Sequence, residues 1–108
     1  MSDLPPVRGG IYTYSGIRRS EFVVISLDAL NRAGTVIVCE VSDEAPADVR
    51  GLLAVQLADG DPLSGQWVLC WRVNYAAASR FEAPGHGAVS DETLRKIVAG
   101  VRSAIDPL

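Results

Sequence analysis

Short runs of apolar and β-branched residues, separated by segments rich in turn residues, fill most of the chain before residue 75. Runs dense in Val, Ile and Phe predict buried strands, and alternation of large and small side chains predicts strands with one covered face. By these criteria we predict five strands, over 8–14, 21–26, 35–41, 49–57 and 66–73. Gly, Pro and Asp between the strands predict tight loops, and residues 28–34 are predicted to form a polar connection with one helical turn at most.

The C-terminal segment has the periodicity of a helix. Ser90 is a good N-cap, the acidic residues after it suit the helix dipole, and Pro107 is expected to end the helix. Apolar residues recur at helical spacing on one face, which predicts a helix that covers the sheet: Leu94, Ile97, Val98, Val101 and Ile105. The predicted fold class is therefore mainly β with a C-terminal α-helix, in a small and mostly antiparallel β-barrel.

Length and composition indicate one domain of a cytoplasmic protein. A chain of 108 residues and 11.5 kDa has the size of a single domain. We expect residues 1–6 to form a flexible leader without signal-peptide character, and residues 7–108 to form the domain. No stretch approaches the roughly 20 apolar residues of a membrane span, so we expect no membrane partner. Cys39 and Cys70 lie in predicted strands and are expected to be reduced, buried and structural rather than disulfide-bonded.

The charge of the chain restricts its partners. Its net charge is −3, whereas proteins that bind duplex nucleic acid non-specifically carry a basic excess. A local anion site is compatible with this charge, because nine of the ten basic residues are Arg, and Arg18 and Arg19 are adjacent. Composition favours a solvated pair of cations on a loop. The alternative is that an anion such as phosphate bridges the two guanidinium groups.

Aromatic and histidine side chains offer two further choices between structure and function. The two-residue period of the fifth predicted strand places Trp67, Leu69 and Trp71 on one face and Val68, Cys70 and Arg72 on the other. For the two tryptophans we favour a core or dimer interface over a platform for stacked bases. His86, the only histidine, lies in a turn of small residues, and we favour a solvated or locally bonded side chain over a catalytic one.

Four segments carry a resemblance to a known family: RGGIYTY (8–14), EFVVISLDALN (21–31), TVIVCEVS (35–42) and SDETLRKIVAGVRSAI (90–105). Their order, with a basic loop after the first, resembles the MazF/PemK family of bacterial toxins over residues 7–106. The resemblance implies an SH3-like barrel of the CcdB/PemK type. It also implies a ribosome-independent endoribonuclease, an mRNA interferase.

The resemblance assigns the catalytic arginine to the loop before the second strand. In the family a Gly-x-Arg-Pro element carries this residue, and here Gly16-Ile17-Arg18-Arg19 supplies arginine without proline. The register leaves Arg18 and Arg19 both as candidates. Two departures are visible: Gly10 replaces the acidic residue of the family's first motif, and the loop over 15–20 is short.

Other residues take predicted roles from the same resemblance. The family's hydroxyl residue at the scissile phosphate falls on Ser42, which Asp43 and Glu44 follow directly. Glu21 is a candidate general base, with a salt bridge to the arginines as the alternative role. The predicted substrate-binding residues are Ser20 and Tyr14.

The implied chemistry suits these residue types. When the 2′-OH of RNA attacks its own phosphate, the enzyme supplies no nucleophile and needs no metal and no cofactor. It has to hold the phosphate, offset the added negative charge and move protons, and a guanidinium group is suited to the second task. The expected partners are single-stranded RNA, a cognate antitoxin and a second copy of the chain. The alternative is a binding protein on the same barrel, either a catalytically inactive relative or a CcdB-like poison that acts through protein contacts.

Overall fold

The computed structural model describes residues 4–16 and 20–105, in which a curled antiparallel sheet carries a C-terminal helix on one face. The strands are β1 (Gly10–Tyr14), β2 (Ser20–Val24), β3 (Thr35–Ser42), β4 (Ala54–Gln56), β5 (Trp67–Ala77) and β6 (Gly87–Ala88). The helices are α1 (Asp28–Arg32) and α2 (Asp91–Ile105), with short 3₁₀ turns at Ala47–Val49 and Ala78–Arg80. The strand order is β4-β5-β3-β2-β1-β6, and every neighbouring pair is antiparallel. This half-barrel confirms the predicted fold class.

Most strand predictions are confirmed, and the exceptions have a local cause. The first three strands end within one or two residues of their predicted bounds. The prediction of a strand over 49–57 is wrong for its first half, because Ala47–Val49 forms a 3₁₀ turn and only Ala54–Gln56 pairs with β5. Gly51 has a φ of +83°, a left-handed conformation that interrupts a strand. Strand β5 runs on to Ala77, past its predicted end, and β6 was not predicted.

Helix α2 begins as the sequence predicts. The Oγ of Ser90 accepts the backbone N–H of Thr93 at 3.2 Å, which is the expected N-cap bond. The helix packs on β4 and β5 through residues that are buried or half-buried: Leu94, Ile97, Val98 and Val101. Ile105 is 71% exposed, so the prediction that the buried face extends to this residue is wrong. Pro107, the predicted helix stop, lies outside the described residues.

The two cysteines are buried in the main core, as predicted, and both are free thiols. Burial, with a further contribution from the neighbouring Cys70, raises the pKa of Cys39 to about 12. Burial raises the pKa of Cys70 to about 11. Both side chains are therefore protonated at neutral pH and pack as small hydrophobic groups.

Strand β5 contains a bulge in its middle, where Trp71 and Arg72 are exposed to solvent. The ladder with β3 shifts register between Cys39 and Glu40, which leaves residues 70–72 of β5 unmatched. Trp71 and Arg72 lie in this bulge and are exposed. The predicted alternation of residues 67–72 between two faces assumes a regular strand, and it therefore holds only up to the bulge.

The two tryptophans have different environments. Trp67 is half-buried against a small apolar cluster that contains Ala54 and Leu69, and the guanidinium carbon of Arg50 lies 5.2 Å from its ring centroid. Trp71 is 39% exposed. The core interpretation thus holds for Trp67, and the dimer-interface interpretation of Trp71 stays a prediction.

Among the residues described, no helix is both long and apolar enough to span a membrane.

Candidate functional site

A cleft lies where β2 begins and β3 ends, at one end of the sheet. It has a volume of about 480 Å³ and opens to solvent. It is lined by Ser20, Glu21, Glu40, Val41, Ser42, Asp43, Gln66 and Arg72. Three predicted site residues, Ser20, Glu21 and Ser42, therefore meet in one place.

Strand register explains why these residues meet. Antiparallel pairing places Tyr14 opposite Ser20, and the β2–β3 ladder, in which Glu21 pairs with Val41, places Ser20 opposite Ser42. Because side chains alternate along a strand, these three residues project from the same face. Glu21 projects from the other face, which also carries the core side chain of Val41. The cleft wraps round the end of the sheet and reaches groups on both faces.

Ser42 has a hydroxyl group suited to contact with an anion. Its Oγ accepts the backbone N–H of Glu44 at 3.2 Å, in a local turn that holds the side chain in place. This bond uses a lone pair of the hydroxyl oxygen and not its proton. The Ser42 hydroxyl can therefore donate to a phosphate oxygen while it keeps the turn.

Carboxylates outnumber cations among the described residues that line the cleft. Glu21, Glu40 and Asp43 contribute three acidic groups, and among the described lining residues Arg72 contributes the one guanidinium group. The Arg72 side chain is 58% exposed, and its Nη1 lies 3.5 Å from Oε2 of Glu40. Sequence reasoning gave Arg72 no role, because its place in the cleft depends on the bulge in β5.

The position of Glu21 is set by two partners that sequence reasoning did not connect to it. Thr13 Oγ1 donates a hydrogen bond to Glu21 Oε2 at 2.6 Å and lies 3.0 Å from His86 Nε2. The His86 Nε2 to Glu21 Oε2 distance is 3.6 Å. His86 is thus bonded within the fold and contacts one of the predicted site residues, and the choice between a structural and a catalytic His86 stays a prediction.

Tyr14 lies apart from the cleft. Its ring makes edge contacts with the rings of Phe81 at 5.3 Å and Phe22 at 6.1 Å between centroids. It lines a separate space of about 140 Å³ in this aromatic cluster. The substrate-binding role predicted for Tyr14 stays a prediction.

Arg18 and Arg19 lie outside the described residues. In the sequence they come directly before Ser20, the first residue of β2 and part of the cleft lining. Their predicted approach to Ser42 stays a prediction.

Within the described part of the chain, no group of three or more His, Cys, Asp or Glu side chains is arranged to hold a metal ion.

Comparison with known proteins places this geometry in a recognised fold. No family model matches the chain, and no curated protein matches its sequence. Solved structures match closely. An endoribonuclease in complex with its cognate antitoxin, from a mycobacterial species, is 22% identical, with coverage of 93% of this chain and 94% of that chain and a TM-score of 0.81.

Two further structures extend the comparison. MazF in a MazE–MazF crystal structure from Deinococcus radiodurans is 22% identical, with coverage of 95% of this chain and 98% of that chain and a TM-score of 0.81. The toxin MazF-mt6 of Mycobacterium tuberculosis is 10% identical, with coverage of 90% and 96% and a TM-score of 0.73. At these identities the likeness establishes the fold, and the chain has the β-barrel fold with a C-terminal helix that these MazF structures share.

Proposed function

We propose that this protein is a metal-independent endoribonuclease toxin of the MazF/PemK family that cleaves single-stranded RNA, including mRNA, at selected sequences. The observation that carries the proposal is the cleft at the end of β2 and β3. There Ser20, Glu21 and Ser42 come together in a chain that shares its fold with a mycobacterial endoribonuclease over 93% of its length. These are residue types that the cleavage needs, and the sequence places two arginines beside them.

The described groups have distinct tasks in this cleavage. The Ser42 hydroxyl donates to an oxygen of the scissile phosphate and positions it. Arg18 or Arg19 stabilises the extra negative charge that develops on the phosphate oxygens, as an oxyanion hole does. Because carboxylates outnumber cations by three to one in the described lining, these two arginines are also needed to make the cleft attractive to RNA. Glu21 accepts the proton of the attacking 2′-OH.

The expected products follow from this chemistry. Attack by the 2′-oxygen forms a bond to phosphorus and releases the 5′-oxygen of the next nucleotide. One fragment therefore ends in a 2′,3′-cyclic phosphate and the other begins with a 5′-hydroxyl group. Unpaired RNA is the expected substrate because its bases are free to enter protein pockets.

The partners in this proposal are a cognate antitoxin and a second copy of the chain. Support for the antitoxin comes from similar structures that contain one, including the mycobacterial endoribonuclease and MazE–MazF from Deinococcus radiodurans. A toxin that acts on mRNA works in the cytoplasm, so we place the protein there. A mass in solution twice that of the 11.5 kDa chain, measured by light scattering, tests the homodimer.

The test of the activity is a cleavage assay in low salt with EDTA, on a long unstructured RNA. Wild-type protein is expected to give discrete bands, and Ser42→Ala and the more damaging of Arg18→Ala and Arg19→Ala are expected to lose them. Ser103→Ala is the matched control, because this exposed serine donates to Ala99 O of its own helix and does not line the cleft as the structure describes it. Intact RNA after incubation with folded wild-type protein overturns the proposal and favours a CcdB-like or inactive binding protein.

A further inference from the structure

The side chains of Glu21, Thr13 and His86 form a connected polar cluster at the end of the sheet. Thr13 Oγ1 is 2.6 Å from Glu21 Oε2 and 3.0 Å from His86 Nε2, and the carboxylate and the imidazole are 3.6 Å apart. The three residues come from β1, β2 and the residue before β6. Their meeting is therefore a product of strand pairing and not of closeness in sequence.

Backbone pairing holds the imidazole over β1. The N–H of His86 donates to the carbonyl of Ile11 at 2.8 Å, next to the β1–β6 pairs. Thr13 lies two residues from Ile11 on the same face of β1 and is 4% exposed. The buried threonine thus fixes the distance between an acidic and an imidazole side chain.

The hydrogen-bond network determines where the proton of the imidazole lies. A threonine hydroxyl has one proton, and Thr13 gives it to the carboxylate of Glu21. The contact from Thr13 to His86 therefore requires Nε2 of His86 to be the donor. When the ring also carries a proton on Nδ1, the site combines a carboxylate that can accept a proton with an imidazolium Nε2–H that can release one.

Exposure allows a substrate to reach both groups. The side chains of Glu21 and His86 are 31% and 39% exposed. A contact between a carboxylate and an imidazole this open to water contributes little to folding stability. Glu21 also lines the cleft that contains Ser42.

We propose that His86 and Glu21 are the acid–base pair of the RNA cleavage, with His86 as general acid and Glu21 as general base. This inference rests on the proposed function and adds His86, a residue that the resemblance does not assign. The 2′-oxygen forms a bond to phosphorus as its proton passes to Glu21. The bond from phosphorus to the 5′-oxygen breaks as the imidazolium form of His86 gives its Nε2 proton to that oxygen and becomes neutral imidazole. Exchange with solvent returns the proton from Glu21 to His86 after product release.

The attacking and leaving oxygens lie on opposite sides of the phosphorus, so the two groups have to part to admit a phosphate. His86 lies between Gly85 and Gly87, and its side chain is 39% exposed. The proposed reaction requires this side chain to turn away from Thr13, on its solvent side, when the phosphate enters. Thr13 holds the pair in the resting state, and the phosphate replaces it in the reacting state.

A substrate with sulfur in place of the leaving 5′-oxygen tests the role of His86. A thiolate leaves without a proton, so such an RNA does not need a general acid. The substrate is a short RNA across the site that wild-type protein cleaves, prepared with oxygen or with sulfur at that position. His86→Gln keeps an N–H near the place of Nε2 but cannot give up its proton, and His86→Ala removes the group.

Both His86 variants are expected to cleave the oxygen substrate about 10²–10⁴-fold more slowly than wild type, the usual size of a general-acid contribution, and to cleave the sulfur substrate almost normally. Glu21→Gln is expected to slow both substrates. Glu92→Gln, an exposed carboxylate on α2, is the matched control and is expected to cleave both like wild type.

Wild-type rates on the oxygen substrate in both His86 variants overturn the inference. Equal slowing on the two substrates also overturns it, because His86 then acts on binding or structure. If wild-type protein cleaves neither RNA, the proposed function itself fails, and this result differs from the other two because it appears without any substitution.

Discussion

Asp61 connects the turn after β4 to the start of helix α2, and its replacement by Asn has a calculable cost. Its Oδ1 accepts the backbone N–H of Ser90 at 2.8 Å, and its Oδ2 accepts the N–H of Ala58 at 2.8 Å and the hydroxyl of Thr93 at 2.7 Å. The carboxylate is 7% exposed. Three donors thus converge on a buried acceptor that Asn reproduces only in part.

Either orientation of the Asn side chain places its NH₂ group against a backbone donor. If the amide nitrogen takes the place of Oδ1, it faces the backbone N–H of Ser90. If it takes the place of Oδ2, it faces the backbone N–H of Ala58. The variant therefore loses one charge-assisted hydrogen bond, worth about 1.5–3 kcal/mol, and leaves a partly buried N–H without an acceptor, which costs about 1–3 kcal/mol at most. We expect Asp61→Asn to lower the free energy of unfolding by about 3 kcal/mol at pH 7. The melting temperature is expected to fall by about 12 °C, at about 4 °C per kcal/mol in a domain of this size.

The pH dependence of this deficit follows from the direction of the pKa shift. Burial by itself raises the pKa of Asp61, but the hydrogen bonds from Thr93, Ser90 and Ala58 outweigh it and hold the pKa below its usual value. A lowered pKa in the folded state stabilises the fold above the ordinary aspartate pKa, near pH 4, and this contribution is lost as the pH falls through the folded-state value. The deficit of Asp61→Asn is therefore full at pH 7 and shrinks below about pH 4.

The assay is urea unfolding at pH 7 and at pH 3, followed by far-UV circular dichroism. Asp59→Asn, two residues away and exposed, is the matched control and is expected to stay within about 0.5 kcal/mol of wild type. The reasoning is refuted if Asp61→Asn unfolds at the same urea concentration as wild type at pH 7. It is also refuted if the deficit is equally large at both pH values.

Three other changes test the core and the cleft. Gly100→Ala is expected to lower the free energy of unfolding by about 1 kcal/mol despite the better helix propensity of Ala, because the new Cβ would lie 2.6 Å from Cys70 Sγ. Thermal unfolding measures this loss, and a melting temperature above that of wild type would contradict it. Cys39 and Cys70 are expected to react with a thiol reagent only after unfolding, since burial raises both pKa values; rapid colour development in native buffer contradicts this. Arg72→Ala is expected to weaken RNA binding and reduce the salt slope of binding by about one unit, whereas Arg102→Ala on the far end of α2 is expected to leave both unchanged.

Local sequence predicts the elements whose stability is local. The cap, the acidic first turn and most of the apolar face of helix α2 all lie within residues 90–105, and the structure confirms all three. The dense Val and Ile runs of β2 and β3 likewise form strands because those side chains suit a buried sheet. The second half of β5 could not be predicted in this way. Residues such as Asn74 and Ala77 have weak strand propensity, and they pair because Thr35–Val38 of β3 presents an edge to them.

The residues of the candidate site also differ in whether local sequence could identify them. Ser42 could be found because it ends a recognisable strand within a recognisable order of segments. His86 could not, because a histidine among small turn residues carries no local signal of a partner. Its position depends on the β1–β6 pairing, and its contact with Thr13 joins residues 73 positions apart.

The two faces of the sheet end therefore divide the work of the proposed reaction. Ser20 and Ser42 project from one face, where the proposal places the phosphate, and Glu21 projects from the other, where Thr13 and His86 bond to it. The proposed reaction therefore requires the substrate to lie across the end of the sheet and reach both sets at once. A one-residue slip in the register of β2 would exchange its faces, which would bring the serine toward His86 and turn the carboxylate to the phosphate side. The pairing of β2 between β1 and β3 is thus a condition of the chemistry as well as of the fold.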